Sequence, residues 1–471
     1  MKVRGRFAAL ALALAALVLA IRAHDAPTNV MADFRAFYCG SRVAFEGRDP
    51  YRTEPLRSCE EQARPPAGPS FLAAVAMPAP LPGYALAAFA PLASLPFPVA
   101  CTAWFGLLGL ALASTIIVLQ RLGAGPVDLL AASIAPVAFA ESMLLGQPVP
   151  LVMLAIACAA WAARSGRPRL AALAAAAAMI EPHIGLAACA GLFLEAPRAR
   201  PVLLAASAAA LALSAALLGP AATLEYGAAV LPAHALANVP ESSQLSLAAM
   251  LYALHVPAHA AVSAGDAMYA LMLAAGVGAA CRLRATDGDA AWLPLVPPAF
   301  VVFGGVHVHH AQAAAALPAL LLLGARVPRV RTLALVAVAL VAVPWFAVAH
   351  PLLLGAVPLF GALIARAAGG RNAMPIVFAV TCAGAAGTLG LAAFEHRITV
   401  EPVARAVAGA LAEDGWGAYV RAALSGVGPV VAWLRAAVAG GLALGLAAFV
   451  AAAVPAVVPR GHRRLLPSTI S

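Results

Sequence analysis

Charge is scarce in this sequence. Asp, Glu, Lys and Arg make up 11% of its 471 residues, while 63% are hydrophobic; soluble domains carry about 25% charged residues. That scarcity excludes an ordinary water-soluble domain. The apolar runs are continuous rather than alternating, which excludes a transmembrane barrel. The seven cysteines show no Cys-x-x-Cys spacing, so neither a zinc ribbon nor a dithiol redox motif is indicated. No internal repeat of the kind many secondary transporters carry is present. Acidic residues are fewer than basic ones, giving a net charge of +10. The basic residues fall in small clusters between apolar runs, which is a topology signal rather than a nucleic-acid surface.

What the sequence does contain is a succession of alanine-rich apolar runs. A bilayer span needs about 20 such residues, and small side chains suit close helix–helix approach in lipid. Lys2, Arg4 and Arg6 precede the first run, and Arg121, Arg164, Arg200, Arg284, Arg326, Arg366 and Arg464 fall at alternate run ends. Basic residues mark the cytoplasmic side. The pattern predicts an all-α polytopic membrane protein, one integral membrane domain over residues 1–471, with about 12 to 14 spans and both termini inside. Residues 1–23 read as a retained span, because Ile21-Arg22-Ala23-His24 is a poor cleavage site. Three outer loops follow from the map: 24–98, 220–262 and 395–430. Within the first, the stretch 70–97 is cut by Pro78, Pro80, Pro82, Pro91 and Pro96 and reads as interfacial or re-entrant. The stretch 170–195 is interrupted by Glu181-Pro182-His183 and reads as two short helices meeting near the outer face.

On this map Asp33, Gln147, Glu181, His183, Gln244, His309 and His310 all lie on the outer side, at breaks or loop starts. Polar groups near a membrane are costly and mark function, so an outward-facing site is predicted. A helix beginning near Asp33 places Phe34, Phe37, Tyr38 and Phe45 along one face, suited to the bilayer interface. Asp33 itself fits two roles, a helix N-cap or a general base. Gln147 and Gln244 either staple loops or touch a sugar. His309 and His310 either bond loop carbonyls or meet a leaving phosphate. Glu181 is a paired structural acid or a ligand contact, and Tyr38 and Tyr51 are interfacial anchors or sugar platforms. His307 and His309 do not share a helix face, and no metal site is expected. Cys39 and Cys59 share the first outer loop, as a disulfide or as two free thiols.

The run Asp33-Phe34-x-x-Phe37-Tyr38, followed by Gly47-x-Asp49-Pro50-Tyr51, resembles glycosyltransferase family 87. Later fragments agree in order over roughly residues 1–330. Leu145-Gly146-Gln147-Pro148 is similar to the family's Gly-Gln turn, and Ser243-Gln244-Leu245-Ser246-Leu247 to its Asn-Gln-Ser-Leu stretch. His309-His310 resembles its late His-containing helix start. The resemblance implies a GT-C fold and an inverting transfer of a hexose, mannose in the best-known cases, at the outer face of the cytoplasmic membrane. The sugar would pass from a polyprenyl-phosphate-linked donor to a lipid or glycan acceptor, with Asp33 as base and no cofactor. It assigns donor or acceptor binding to Phe37, Tyr38, Arg42, Gln147, Glu181, His183, Gln244, His309 and His310. The chain departs from the family at Glu181-Pro182, where relatives have Lys-Pro, and at Met77-Pro78-Ala79-Pro80, where they have an aromatic-Pro-Pro segment. His183, Arg42 or Arg52 would then supply the positive charge for a donor phosphate. Two rival readings remain: a transporter or flippase of lipid-linked sugar, which predicts ionisable residues within spans, and a relative that has lost donor binding.

Overall fold

The computed structural model describes residues 5–25, 30–63, 77, 79–239, 244–302, 304, 307–345, 353, 355–369, 373–395 and 430–454. The expected outer loop 395–430 lies outside the described residues except for its two ends. Among the described residues the chain is helical and contains no strand, as alanine and leucine runs without β-branched alternation dictate. It is an all-α polytopic membrane protein.

Five described segments are long and apolar enough to cross a bilayer: Arg6–His24, Phe97–Arg121, Pro197–Leu218, Ala258–Asp287 and Ala436–Ala453. Several shorter apolar helices stand between them, and their lengths follow from proline and polar interruptions. Helix α1 (Arg6–Asp25) is followed by α2 (Ala32–Phe45), α3 (Thr53–Gln62) and two short turns, α4 (Gly83–Ala88) and α5 (Ala90–Ala93). These four elements occupy the proline-cut stretch after the first span. Next come α6 (Phe97–Arg121), α7 (Val127–Val137), α8 (Val149–Arg164), α9 (Pro168–Ala177) and α10 (Pro182–Glu195). The stretch 170–195 is two helices broken at Glu181, as its Glu-Pro-His interruption predicts, because the residue before proline is held out of the helical region. Helices α11 (Arg200–Leu218), α12 (Pro220–Glu225), α13 (Leu231–Asn238), α14 (Leu247–Ala253) and α15 (Ala258–Asp287) form the middle of the chain. The remainder is α16 (Trp292–Val301), α17 (His310–Ala313), α18 (Leu317–Arg326), α19 (Arg331–Ala342), α20 (Ala356–Ala367), α21 (Ala373–Glu395) and α22 (Val430–Ala453).

The polar contacts separate two ends of the bundle. At one end Arg164 pairs with Asp289 through Nε at 3.1 Å and donates to the Leu122 carbonyl at 2.5 Å. Arg326 donates to that same carbonyl at 3.2 Å. The arginines that close α8 and α18 thus tie down the C-terminus of α6, the negative end of its helix dipole. Asp128, in the first turn of α7, accepts from the backbone of Gly5 and Ala8 at 3.2 and 2.8 Å. At the other end of the same two helices Arg22 reaches Glu141 at 2.9 Å and the Ala140 carbonyl at 3.0 Å. Helices α1 and α7 therefore run parallel, and the breaks holding Asp33, Gln147, Glu181 and His309 gather at the end opposite Arg164 and Arg326.

Cys39 and Cys59 form a disulfide with Cα atoms 5.7 Å apart, which resolves the two readings of that pair. It ties α3 to α2 across a sequence separation of 20. Closing a loop of that length is worth about 3 kcal/mol of chain entropy. Reduction, or the double change Cys39→Ser and Cys59→Ser, should loosen α3 while leaving the spans intact. Limited proteolysis checks this: cleavage within 53–62 should speed up at least tenfold in reductant.

Candidate active site

Helix α2 is launched by Met31, a non-glycine residue with left-handed φ of 56°, whose N–H donates to the Leu144 carbonyl at 2.7 Å. Met31 occupies the N-cap position and makes no side-chain cap bond. Asp33 is therefore the second helical residue and not the N-cap. Its carboxylate sits at the positive end of the α2 dipole, where a negative charge is favoured. The aromatic face of α2 turns into the protein, not to the bilayer. Phe34 stacks on Trp104 with centroids 5.4 Å apart, Phe37 lies 5.3 Å from Phe89, and the Tyr38 hydroxyl donates to the Leu95 carbonyl at 2.8 Å. Phe45 alone of the four expected interface aromatics is exposed, at 57%. The expectation failed because Phe89, Phe97 and Trp104, distant in sequence, supply an aromatic partner surface.

The turn after α7 is held against this helix. A π-helical turn over Ala138–Met143 widens the end of α7, and Gln147 N–H then donates back to the Ser142 carbonyl at 2.8 Å. Trp104 Nε1 donates to the Gly146 carbonyl at 2.8 Å. These bonds bring the Gln147 side chain onto Asp33, with Nε2 donating to Oδ2. The orientation of that amide follows from a chain of donors. His309 backbone N–H, which can only donate, bonds Gln312 Oε1 at 3.1 Å. Gln312 Nε2 then faces Gln147 Oε1 at 3.4 Å, so Gln147 presents its NH2 to Asp33. The carboxylate accepts from this neutral amide donor. The Gln312 side chain also favours the charged form of Glu181. Glu181 is buried, and His183 Nδ1 lies 3.8 Å from its Oε2. Tyr269 and Tyr84 donate to the His183 and Met179 carbonyls at 2.6 and 2.9 Å, fixing the α9–α10 break.

Gln244 closes the other side. Its Oε1 accepts from Val308 N–H at 2.9 Å, and its Nε2 lies 3.0 Å from His307 Nδ1 and 3.4 Å from His309 Nε2. It staples the 244–246 strand of chain to the 307–309 segment, which the 2.6 Å Leu245-to-Val308 backbone bond reinforces. The His307 ring sits 4.7 Å from those of His234 and His309. Burial pushes the His309 imidazole down to about 4 and holds His234 well below its ordinary value. Both rings are neutral at pH 7. An unfolded chain takes up protons below about 6.5, whereas the folded site resists doing so until near 4. Stability is therefore complete above pH 6.5 and is lost as the pH falls toward 4. The unfolding temperature of the detergent-solubilised protein should drop several degrees between pH 7 and pH 5, and His309→Gln should blunt that drop.

The structure brings Asp33, Gln147, Glu181, His183, Gln244 and His309 into one connected group. It does not bring Phe37, Tyr38, Arg42 or His310 there. Phe37 and Tyr38 are core residues of α2. Arg42 is exposed and pairs with Glu46 at 3.2 Å, and Arg52 pairs with Asp49 at 3.1 Å and Glu225 at 3.3 Å. His310 turns the other way, donating through Nε2 to the Val341 carbonyl at 2.8 Å, with Nδ1 4.0 Å from Glu141. Gln312 and His234 complete the group without having been singled out from sequence. Gln312 had a signal, since His309-x-x-Gln312 has capping-box spacing, and a reciprocal capping box forms there. His234 had none. Among the described residues no group of three or more His, Cys, Asp or Glu is arranged to hold a metal ion.

Residues 82–303 match the family model described as Glycosyltransferase family 87. Over this segment, just under half of its length, the chain is similar to glycosyltransferase family 87. Together with the spanning helices, the match supports a membrane glycosyltransferase. The matched segment contains Gln147, Glu181, His183 and Gln244, while Asp33 and His309 lie outside it. No curated protein and no solved structure matches the chain. A glycosyltransferase needs a sugar donor and an acceptor.

Proposed function

We propose that this glycosyltransferase moves a hexose from a polyprenyl-phosphate-linked donor to a lipid or glycan acceptor, at the outer face of the cytoplasmic membrane, with both termini inside. The observation that supports the reading is the Asp33 carboxylate, held by the Gln147 amide in one connected group with Glu181, His183, Gln244 and His309, at the bundle end opposite Arg164 and Arg326. Basic residues mark the cytoplasmic side, so the polar end faces outward.

The reaction is a single inverting displacement. The acceptor hydroxyl oxygen attacks the anomeric carbon, Asp33 takes the hydroxyl proton, and polyprenyl phosphate departs from the opposite side. Asp33 is suited to this as a carboxylate that the Gln147 amide orients at the start of α2. The departing phosphate needs N–H donors placed where its charge develops. His309, His183 and the Gln244 amide are the donors of this cluster, and Glu181 in place of lysine makes that stabilisation neutral rather than cationic.

The test is transfer by the purified protein from radiolabelled polyprenyl-phosphate sugars to a membrane-lipid extract. Radiolabelled product in the lipid or glycan fraction is expected. No transfer from any such donor would favour a transporter or a relative without activity.

A further inference from the structure

Arg35 lies two residues beyond Asp33 in α2, so its side chain leaves the helix about 200° around the axis, on the opposite face. It is only 6% exposed, and its Nε is buried with no acceptor. Among the described residues it forms no ion pair. Its neighbours at this end of the bundle behave differently. Arg22 pairs with Glu141, Arg42 and Arg48 with Glu46, Arg52 with Asp49 and Glu225, and Arg57 with Glu54. A guanidinium does not shed its proton, and a buried charge without a counter-ion is strongly unfavourable. Such a buried charge is stabilised by an anionic partner.

The setting says which anion. Phe34 and Tyr38, one residue before and three residues after Arg35 on α2, pack on the Phe97 ring with centroids 6.1 and 5.2 Å apart, so this part of α2 lies against the start of α6. The first turns of α6 expose Val99 and Phe105, at 52% and 39%, a surface of the kind that faces acyl chains. The anion available where a spanning helix meets the membrane surface is a lipid phosphate, whose oxygens match the planar fork of arginine. We propose that Arg35 holds the phosphate of a membrane lipid in a site beside α2 and the start of α6, apart from Asp33. The lipid is a phospholipid or a polyprenyl phosphate, two sources of the same chemistry. The site does not depend on the role given to Asp33, and its test reads binding rather than sugar transfer.

Native mass spectrometry of the full chain released from detergent gives that test, with phosphatidylglycerol, undecaprenyl phosphate, neutral diacylglycerol and inorganic phosphate as probes. Wild type should retain at least one phosphate-bearing lipid at tenfold lower concentration than diacylglycerol. Arg35→Met should abolish that preference, and Arg35→Lys, which keeps the charge but not the fork, should reduce it several-fold. Because Arg35→Met removes an uncompensated charge, it should unfold in lipid-free detergent no earlier than wild type, separating lost binding from lost fold. If that variant fails to fold, the Arg35→Lys reduction decides. A stronger hold on undecaprenyl phosphate assigns the site to polyisoprenoid lipids, and a stronger hold on phosphatidylglycerol assigns it to the bilayer. Equal preference in wild type and both variants overturns the proposal, as does saturation of the site by inorganic phosphate alone.

Discussion

Asp33→Asn should lower the turnover of sugar transfer by about 100- to 10,000-fold, the range contributed by a positioned general base. The change is nearly isosteric and leaves an oxygen that still accepts from Gln147 Nε2, the bond that joins α2 to the turn after α7. The aromatic packing of Phe34 against Trp104 and the Met31-to-Leu144 bond do not involve the carboxylate. The unfolding temperature should therefore stay within a few degrees of wild type, and donor binding should survive. What disappears is the capacity to take up a proton as the acceptor oxygen attacks. Near-normal turnover in this variant would remove Asp33 from the chemistry, and a loss accompanied by unfolding would show only that the residue holds α2 in place. Measuring turnover and thermal unfolding on the same preparation distinguishes the two.

Much of the architecture could be read from the sequence because the membrane simplifies the physics. Apolar runs bounded by arginines at alternate ends need no tertiary information to be recognised as spans. The helix break at Glu181 was equally legible, because proline disfavours the helical conformation in the residue before it, and here polar Glu181 and His183 flank that proline. The site was legible as a set of positions, since costly polar residues recur at run ends of one parity. The contacts that select among those residues were not. Whether Arg42 is free or taken depends on Glu46 one turn away, which a sequence reading could weigh, and also on which face of α2 meets solvent, which it could not. His310 lies next to His309 in sequence yet faces Glu141 and Val341, because His309 is the extended N-cap residue while His310 opens the helix, and their side chains leave the backbone in different directions. The aromatic face of α2 was misread for a similar reason. Periodicity identifies an apolar face without saying whether lipid or protein covers it, and Phe89 and Trp104 arrive from elsewhere in the chain.

Gly146→Ala should be the most damaging single change outside the reacting groups. Gly146 has φ of +80°, and a Cβ there would come within 2.5 Å of the Phe34 Cβ and 3.0 Å of the Met31 sulfur. The backbone strain alone costs about 1–2 kcal/mol in an L-residue. The clash cannot be relieved by turning a flexible side chain, since the atom met first is a Cβ fixed to the α2 backbone, inside an aromatic cluster that includes Trp104 and Phe89. Either α2 or the turn must move by several tenths of an ångström, and the Gln147–Asp33 bond spans that same gap. Transfer should fall at least tenfold, with a lowered unfolding temperature. Gly166→Ala is the control, because that glycine has a similar φ of +69° with open space around it. It carries the strain without the clash and lies at the arginine end of the bundle. Equal losses in the two variants would mean that strain alone explains the effect. A selective loss in Gly146→Ala would show that the close approach of the turn to α2 sets the position of the Asp33 carboxylate.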